Sequence, residues 1–317
     1  MLRLRTFGLA LFLLAVAVPT ALRSASPASA DSPASGGQSE QAHRPGDTTA
    51  FFPTRSVTEA QRGAKRQASA STGVLNLINQ SGGGVMETTR VHVVFWGWSC
   101  NGSGSSTCDS AVNYVKGFFG GTGGSNWLNS VTQYCGLIPA GTATCSTAHL
   151  VTNPSANATF IFDNKTRLPS RITQSSIANE ASHIASGSGT GTNNLYIIMT
   201  PHGHSQSGFG TQWCGYHSYA AGATPYAYIP YEPDAGYACG ANSVGSVFDG
   251  FSIVGGHELG EAMTDPLLNA WYDNNGAENG DKCAWTGLTT VMLANAHPYS
   301  VQPLWSNKSS SCVITYP

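Results

Sequence analysis

The chain has 317 residues, of which only 10% are Asp, Glu, Lys or Arg, and a formal net charge of -2. Ordinary domains carry about 25% charged residues. From Ser71 onward there are 7 bases against 13 acids, which excludes the basic footprint that nucleic acid or an anionic membrane surface would need.

Arg3 and Arg5 precede the apolar run Phe7 to Val18, and Ala28-Ser29-Ala30 supplies a small-x-small site before Asp31. That is the layout of an export signal over 1–30. The run is too short to span a bilayer, which takes about 20 residues, and no later stretch is longer. The expected product is secreted and extracellular, with no membrane association after signal cleavage. Losing Arg3, Arg5 and Arg23 and no acid takes the charge from -2 to -5.

Residues 31–70 are rich in Ser, Ala, Pro, Gln and Gly, with no apolar periodicity, and read as a disordered linker. The basic residues Arg55, Arg62, Lys65 and Arg66 make a cleavable propeptide the other reading. The remainder, 71–317, is long enough for one large core and is expected to form a single domain. All eight cysteines lie there. An even count in an exported chain implies four disulfides, and neighbour pairing (100–108, 135–145, 214–239, 283–312) is the simplest of the many possible. A cysteine zinc site would call for a C-x-x-C spacing, which the chain lacks.

Along that domain, Arg90 to Trp98 (RVHVVFWGW) reads as a buried central strand, with His92 a sheet histidine. Asp109 caps a predicted helix to Phe119, and a second helix is predicted over 125–134. A strand at 158–162 and a helix over 170–185 follow. Asn194 to Thr200 is a second buried strand stopped by Pro201, Tyr226 to Tyr231 a third, and 303–316 a closing hairpin. Strands alternating with helices predict an α/β fold: a mixed sheet with packed helices, stapled by disulfides and compatible with a zincin-like arrangement.

The chemistry concentrates between Asp249 and Asp281. These 33 residues hold seven carboxylates (Asp249, Glu258, Glu261, Asp265, Asp273, Glu278, Asp281) and no Lys or Arg. Crowding of this kind calls for a cation or protons. Asp249 or Ser252 can cap a helix from Ile253 to Thr264, ended by Pro266. On it His257 and Glu261, four residues apart, share a face, as the two histidines of H-E-x-x-H do in zinc hydrolases, and Glu258 takes the position of the general base that activates water. Zinc accepts carboxylate oxygen as well as imidazole nitrogen, and a catalytic site needs a third ligand and an open position. Asp281 or Glu278, in NNGAENGDKC, is the expected third ligand, and Asp265 is a supporting or capping residue. Gly255, Gly256 and Gly260 cost the helix roughly 2–3 kcal/mol of propensity, which suggests close approach of a backbone or ligand. A structural calcium site, with six to eight oxygens, is the rival reading of the same carboxylates.

Other residues carry weaker signals. His217, in WCGYHSY, can steady an oxyanion or complete the metal shell. His202 and His204 follow the 194–200 strand, where sites in α/β sheets collect, though exposed loop histidines are common. Gly203 to Ser207 (GHSQS) lacks the final glycine and the following helix of a serine-hydrolase elbow. Trp96, Trp98, Trp213, Tyr216, Trp271, Tyr272 and Trp285 can stack on sugars or fill the core.

Several blocks from Val91 to the C-terminus, VHVVFWGW, IIMTPHGHSQSGFGTQWCGYHSY, YAYIPYEPDAGYACG, DGFSIVGGHELGEAMTDPLLNAWYD, ENGDKCAW and LWSNKSSSCV, resemble the phosphate-induced/EXORDIUM-like family of secreted proteins in its bacterial branch. Plant members of that family are extracellular, linked to growth and cell expansion, and have no established activity. They carry T-N-P in place of Thr264-Asp265-Pro266 and lack the His and Glu of HELGE. Bacterial members keep H-E-x-x-E-x-x-T-D-P and E-x-G-D, which the resemblance places at His257, Glu258, Glu261, Asp265, Glu278 and Asp281.

Two functions are therefore expected in order. The first is a zinc peptidase-like hydrolase acting on an extracellular peptide or cell-wall substrate, with His257, Glu261 and Asp281 or Glu278 as ligands, Glu258 as base and His217 as an electrostatic partner. The second is a non-catalytic wall protein with a structural calcium site and glycan-binding aromatics.

Overall fold

The structure, a computed structural model, describes residues 49–68, 76–155 and 157–316. The signal reading of 1–30 and the linker reading of 31–48 lie outside these residues. The elements run β1 (Thr49–Pro53), α1 (Arg55–Ala68), β2 (Ile78–Asn79), β3 (Arg90–Trp96), α2 (Thr107–Thr122), β4 (Ala158–Asp163), α3 (Gln174–Ser188), β5 (Asn194–Met199), β6 (Trp213–Ala220) and β7 (Thr224–Ile229). They continue with α4 (Asp249–Thr264), β8 (Trp271–Tyr272), β9 (Thr289–Met292), β10 (Pro298–Val301), β11 (Leu304–Ser306) and β12 (Ser311–Val313).

Six strands form one mixed sheet in the order β1-β6-β7-β5-β3-β4. β4, β3, β5 and β7 run parallel, while β6 is antiparallel to β7 and β1 antiparallel to β6. Alternation along each strand divides the core between the two faces. Val91, Val93, Phe95, Leu195, Ile197 and Met199 pack with α2 and α4, while Val94, Trp96, Tyr196 and Ile198 pack with Ile177, Ala181 and Ala185 of α3. The predicted mixed α/β sheet with helices against it is what the chain forms. All four neighbour disulfides are present: Cys100–Cys108, Cys135–Cys145, Cys214–Cys239 and Cys283–Cys312.

Local details differ from the sequence reading. Ser106, not Asp109, is the N-cap of α2: its hydroxyl accepts from the Asp109 amide at 3.1 Å and donates to Asp109 Oδ2 at 2.6 Å. The helix predicted over 125–134 is a 3-10 turn, Leu128–Gln133, with Trp127, Leu128 and Val131 buried as expected. Asp249 does not cap α4. Its Oδ2 accepts from the amides of Val244, Gly245 and Ser246 and so fastens the preceding loop. The disordered reading is corrected for residues 49–68, which form β1 and α1. TAFFP alternates Phe51 onto the α3 face and Phe52 onto the α4 face, so its short apolar run is used as an edge strand.

Every one of the 16 residues of α4 is buried, the pattern of a helix surrounded by protein on all sides. The glycines explain how it fits. A Cβ at Gly255 would lie 2.8 Å from Phe119, at Gly256 2.8 Å from Trp127, and at Gly260 2.9 Å from Leu304. Side chains of neighbouring elements, rather than a backbone or ligand, take the space these glycines leave.

Candidate metal centre

Burying α4 whole also buries its polar residues, and three elements bring them together. α4 supplies His257, Glu258 and Glu261, the adjoining strand β6 supplies His217, and the loop ending at Cys283 supplies Glu278 and Asp281. His217, His257, Glu258 and Glu278 are fully buried, Glu261 is 1% exposed, and the Asp281 side chain is 13% exposed.

The i, i+4 spacing performs as the sequence suggests: His257 Nε2 lies 2.9 Å from Glu261 Oε1. Asp281 Oδ1 stands 3.6 Å from the same nitrogen, and the Asp281 amide donates to Glu261 Oε1 at 2.9 Å. His257, Glu261 and Asp281 thus converge as one possible ion-holding group, and His217, Glu258 and Glu261 as a second. Glu261 belongs to both. Its Oε1 faces His257, while its Oε2 is 3.5 Å from His217 Nδ1, which is also 3.2 Å from Glu258 Oε2. Glu278 Oε2 approaches the other nitrogen of His217 at 3.6 Å, so both ring nitrogens face carboxylates.

Five polar atoms of the two histidines, Glu258 and Glu278 have no hydrogen-bond partner although buried: His217 Nε2, His257 Nε2, Glu258 Oε1 and both oxygens of Glu278. Such atoms ordinarily find partners. On its far side, His257 Nδ1 meets the Gln302 amide at 3.1 Å, and that amide also donates to Gly280 O at 2.9 Å. Gln302 Oε1 has no partner. With the amide turned over, that oxygen would accept from Nδ1–H, the tautomer that leaves Nε2 free for a ligand, but at the cost of the bond to Gly280 O. Gly280 leaves the cradle open, since a Cβ there would lie 2.7 Å from His257 Nδ1 and 2.9 Å from Glu261 Oε1.

Electrostatics follow from charges crowded in a dry place. Burial opposes the charge on His257, but Glu261, Glu258 and Asp281 outweigh it and raise its pKa to about 9. Burial opposes the charge on His217 as well, yet Glu278, Glu258 and Glu261 hold its pKa well above the ordinary value. Burial also resists ionisation of Glu261, and the two histidines reverse that, lowering it to about 2. Glu258 and Glu278 are raised, chiefly by burial. The surrounding carboxylates thus favour the protonated form of both histidines.

The seven acids of the sequence cluster therefore divide. Glu258, Glu261, Glu278 and Asp281 meet at the two histidines. Asp249, Asp265 and Asp273 organise backbone: Asp265 Oδ1 accepts from the amides of Asn269 and Ala270, and Asp273 holds its own turn and Lys282. Asp265 belongs to neither convergent group, and burial pushes it up to about 6. A third group, Cys214, Glu232 and Cys239, is spent, because its cysteines are joined in a disulfide.

His202 and His204 are elsewhere. With Trp98, Tyr231 and Asp234 they line a cleft of about 880 Å³, and none of the cluster residues borders it. All seven aromatics that could have stacked on sugars are buried. Gly203 to Ser207 forms turns with no helix following, so it is not an elbow.

Gln302 and Phe52 carried no sequence signal as such, and Gly280 stood only as the glycine of E-x-G-D, with no role read for it. The Phe52 ring lies flat on His257 with centroids 3.8 Å apart, and its other face stacks on Trp285 at 4.6 Å. Only the alternation in TAFFP could have pointed to it. No helix among the described residues is long and apolar enough to cross a membrane. No protein-family model, curated protein or solved structure matches the chain.

Proposed function

We propose that this is a secreted zinc-dependent hydrolase of peptide bonds, with His257 Nε2, Glu261 and Asp281 as the ligands. The observation that carries the reading is the convergence of these three donors in a buried cluster that also holds Glu258. Zinc–ligand bonds of about 2.0–2.2 Å in a tetrahedron separate the donor atoms by about 3.3 Å. The separations of 2.9 and 3.6 Å around His257 Nε2 bracket that figure. Calcium fits less well, since it takes about six to eight oxygens and this group has one nitrogen and two carboxylates. The resemblance to bacterial EXORDIUM-like proteins agrees with these residues and supplies no substrate.

Zinc at this position would supply Lewis acidity towards a carbonyl oxygen. The chain does the rest. Glu258 accepts a proton from water as the oxygen attacks the carbonyl carbon, and returns it to the amine nitrogen as the C–N bond breaks, leaving a carboxylate and an amine. His217, whose nitrogens face Glu258, Glu261 and Glu278, orients Glu258 and balances its charge.

Glu258→Gln is the decisive variant. It is expected to keep zinc and to lose hydrolysis of internally quenched peptides by a factor of about 10³ or more. Unchanged turnover contradicts the reading.

A further inference from the structure

β1, the sheet's outermost strand on that side, covers one flank of the cluster, with Phe52 stacked on His257. β1 lies antiparallel along the free edge of β6, with Ala50 opposite His217, Phe51 opposite Tyr216 and Phe52 opposite Gly215. Three features make this edge a path for a chain rather than a wall of the fold. Gly215 has no side chain, and a Cβ there would stand 2.7 Å from Val254 Cγ1 and 3.2 Å from Glu258 Oε1, so β6 itself passes close to Glu258 at the residue opposite Phe52. The ladder breaks at Phe52/Pro53, where the register shifts. Phe52 enters a slot whose two walls are His257 and Trp285.

β1 itself is buried, with Phe52 in the core and Phe51 against Trp213 and Tyr216, but the helix that follows adds little buried surface. In α1, from Arg55 to Gly63, only Thr58 is buried. The attachment is a polar latch instead. The Arg55 guanidinium lies over the rings of Tyr237 at 4.4 Å and Trp285 at 4.5 Å, and donates to Tyr237 O and Ser243 Oγ. Arg62 donates to Ala284 O and Trp285 Nε1 to Pro53 O. With the reacting groups fully buried, a substrate requires something to move, and segments with the fewest buried contacts open at least cost.

We infer that the β6 edge is a docking strand for an extended polypeptide, the substrate class of the metal centre, with an aromatic side chain seated between His257 and Trp285. Thr49–Pro53 is the resident occupant and, by competing with substrate, slows turnover by the full chain without abolishing it. Added strands gain affinity from main-chain hydrogen bonds and selectivity from side-chain pockets. This inference rests on reading the cluster as a hydrolytic centre, but the docking itself is measurable without turnover.

The test begins with the full chain carrying Glu258→Gln and a site-specific protease recognition sequence inserted between Ala68 and Asn76. The protein folds intact and is then nicked. A labelled synthetic peptide spanning Thr49 to Arg55 is titrated before and after nicking, followed by fluorescence anisotropy, with gel filtration to track the released segment. The peptide is expected to bind the nicked protein and not the intact one, and changing its second phenylalanine to alanine should weaken binding by about tenfold or more, or about 1.4 kcal/mol. Retention of the segment against excess peptide, or equal binding of the alanine peptide, overturns the docking strand and makes β1 an ordinary structural strand. Docking without any hydrolysis by the nicked protein bearing native Glu258 would instead overturn the hydrolase and leave the docking strand standing.

Discussion

Glu261 divides its carboxylate between two histidines: Oε1 lies 2.9 Å from His257 Nε2 and Oε2 lies 3.5 Å from His217 Nδ1. One side chain therefore joins the helix, the sheet and, through the Asp281 amide, the loop. Removing it should have two separable effects. Glu261→Ala is expected to abolish stoichiometric zinc binding, read by equilibrium dialysis. It should also lower stability by about 3–5 kcal/mol, because two buried imidazoles lose their main shared counter-charge. Zinc retained at wild-type affinity would remove Glu261 from the ligand set.

Zinc itself should stabilise the fold, since it binds the native arrangement and not the scattered ligands of the unfolded chain. At free zinc of about 100 times the dissociation constant the gain is about 2.7 kcal/mol, or roughly 5–10 °C in melting temperature for a domain of this size. Calcium at the same concentration is expected to leave the melting temperature unchanged. A larger shift with calcium than with zinc would favour the structural-site reading of the carboxylates.

Gly280 sets the width of the cradle. Gly280→Ala places a Cβ 2.7 Å from His257 Nδ1 and 2.9 Å from Glu261 Oε1, which displaces both proposed ligands. It is expected to weaken zinc binding by about tenfold or more, equivalent to at least 1.4 kcal/mol, while the four disulfides and the sheet remain. Gly256→Ala is its counterpart in the core. Its Cβ would meet Trp127 at 2.8 Å and Phe118 at 3.2 Å, and overpacking of this sort costs about 1–3 kcal/mol. Thermal melts and zinc titrations of the two variants separate packing from ligation.

A pH effect should arise away from the proposed metal centre. Burial, with Asp163 alongside, raises Glu180 to about 8 from 4.5. Asp163 is lowered to about 2 despite its burial, through Thr166, the Lys165 amide and Glu180. A carboxyl whose folded pKa is raised binds its proton more tightly when folded, so its contribution falls as pH rises from about 4.5 to about 8. Asp163 acts in the opposite direction, losing its contribution as pH falls from 3.8 towards 2. Glu180→Gln is expected to flatten the decline in melting temperature between pH 5 and about 8. An identical pH profile in wild type and variant would show that Glu180 carries no such linkage.

The central strands and α4 were legible because burial on both faces leaves continuous apolar runs, as in NLYIIMT and VHVVFW, and because Pro266 ends the helix. The carboxylate cluster was legible because acids are so scarce elsewhere in the chain. The division of that cluster was not, since Asp249, Asp265 and Asp273 serve backbone amides whose positions depend on loop geometry. β1 was missed because a short apolar run in a Ser- and Ala-rich context gains its order from pairing with β6, a partner far away in sequence. Gln302 was missed for the same reason: its meaning comes from His257, brought to it by folding.

Metal content is the most direct test of the central claim. The purified full chain, prepared without chelator or a histidine tag, is offered zinc and calcium, dialysed and measured by plasma mass spectrometry alongside Glu258→Gln and Glu261→Ala. About one zinc per chain in the wild type and in Glu258→Gln, and none in Glu261→Ala, is the expected result for a single site with three protein ligands and one open position. No zinc in the wild type, or zinc bound equally by all three, would contradict a catalytic centre built on His257, Glu261 and Asp281.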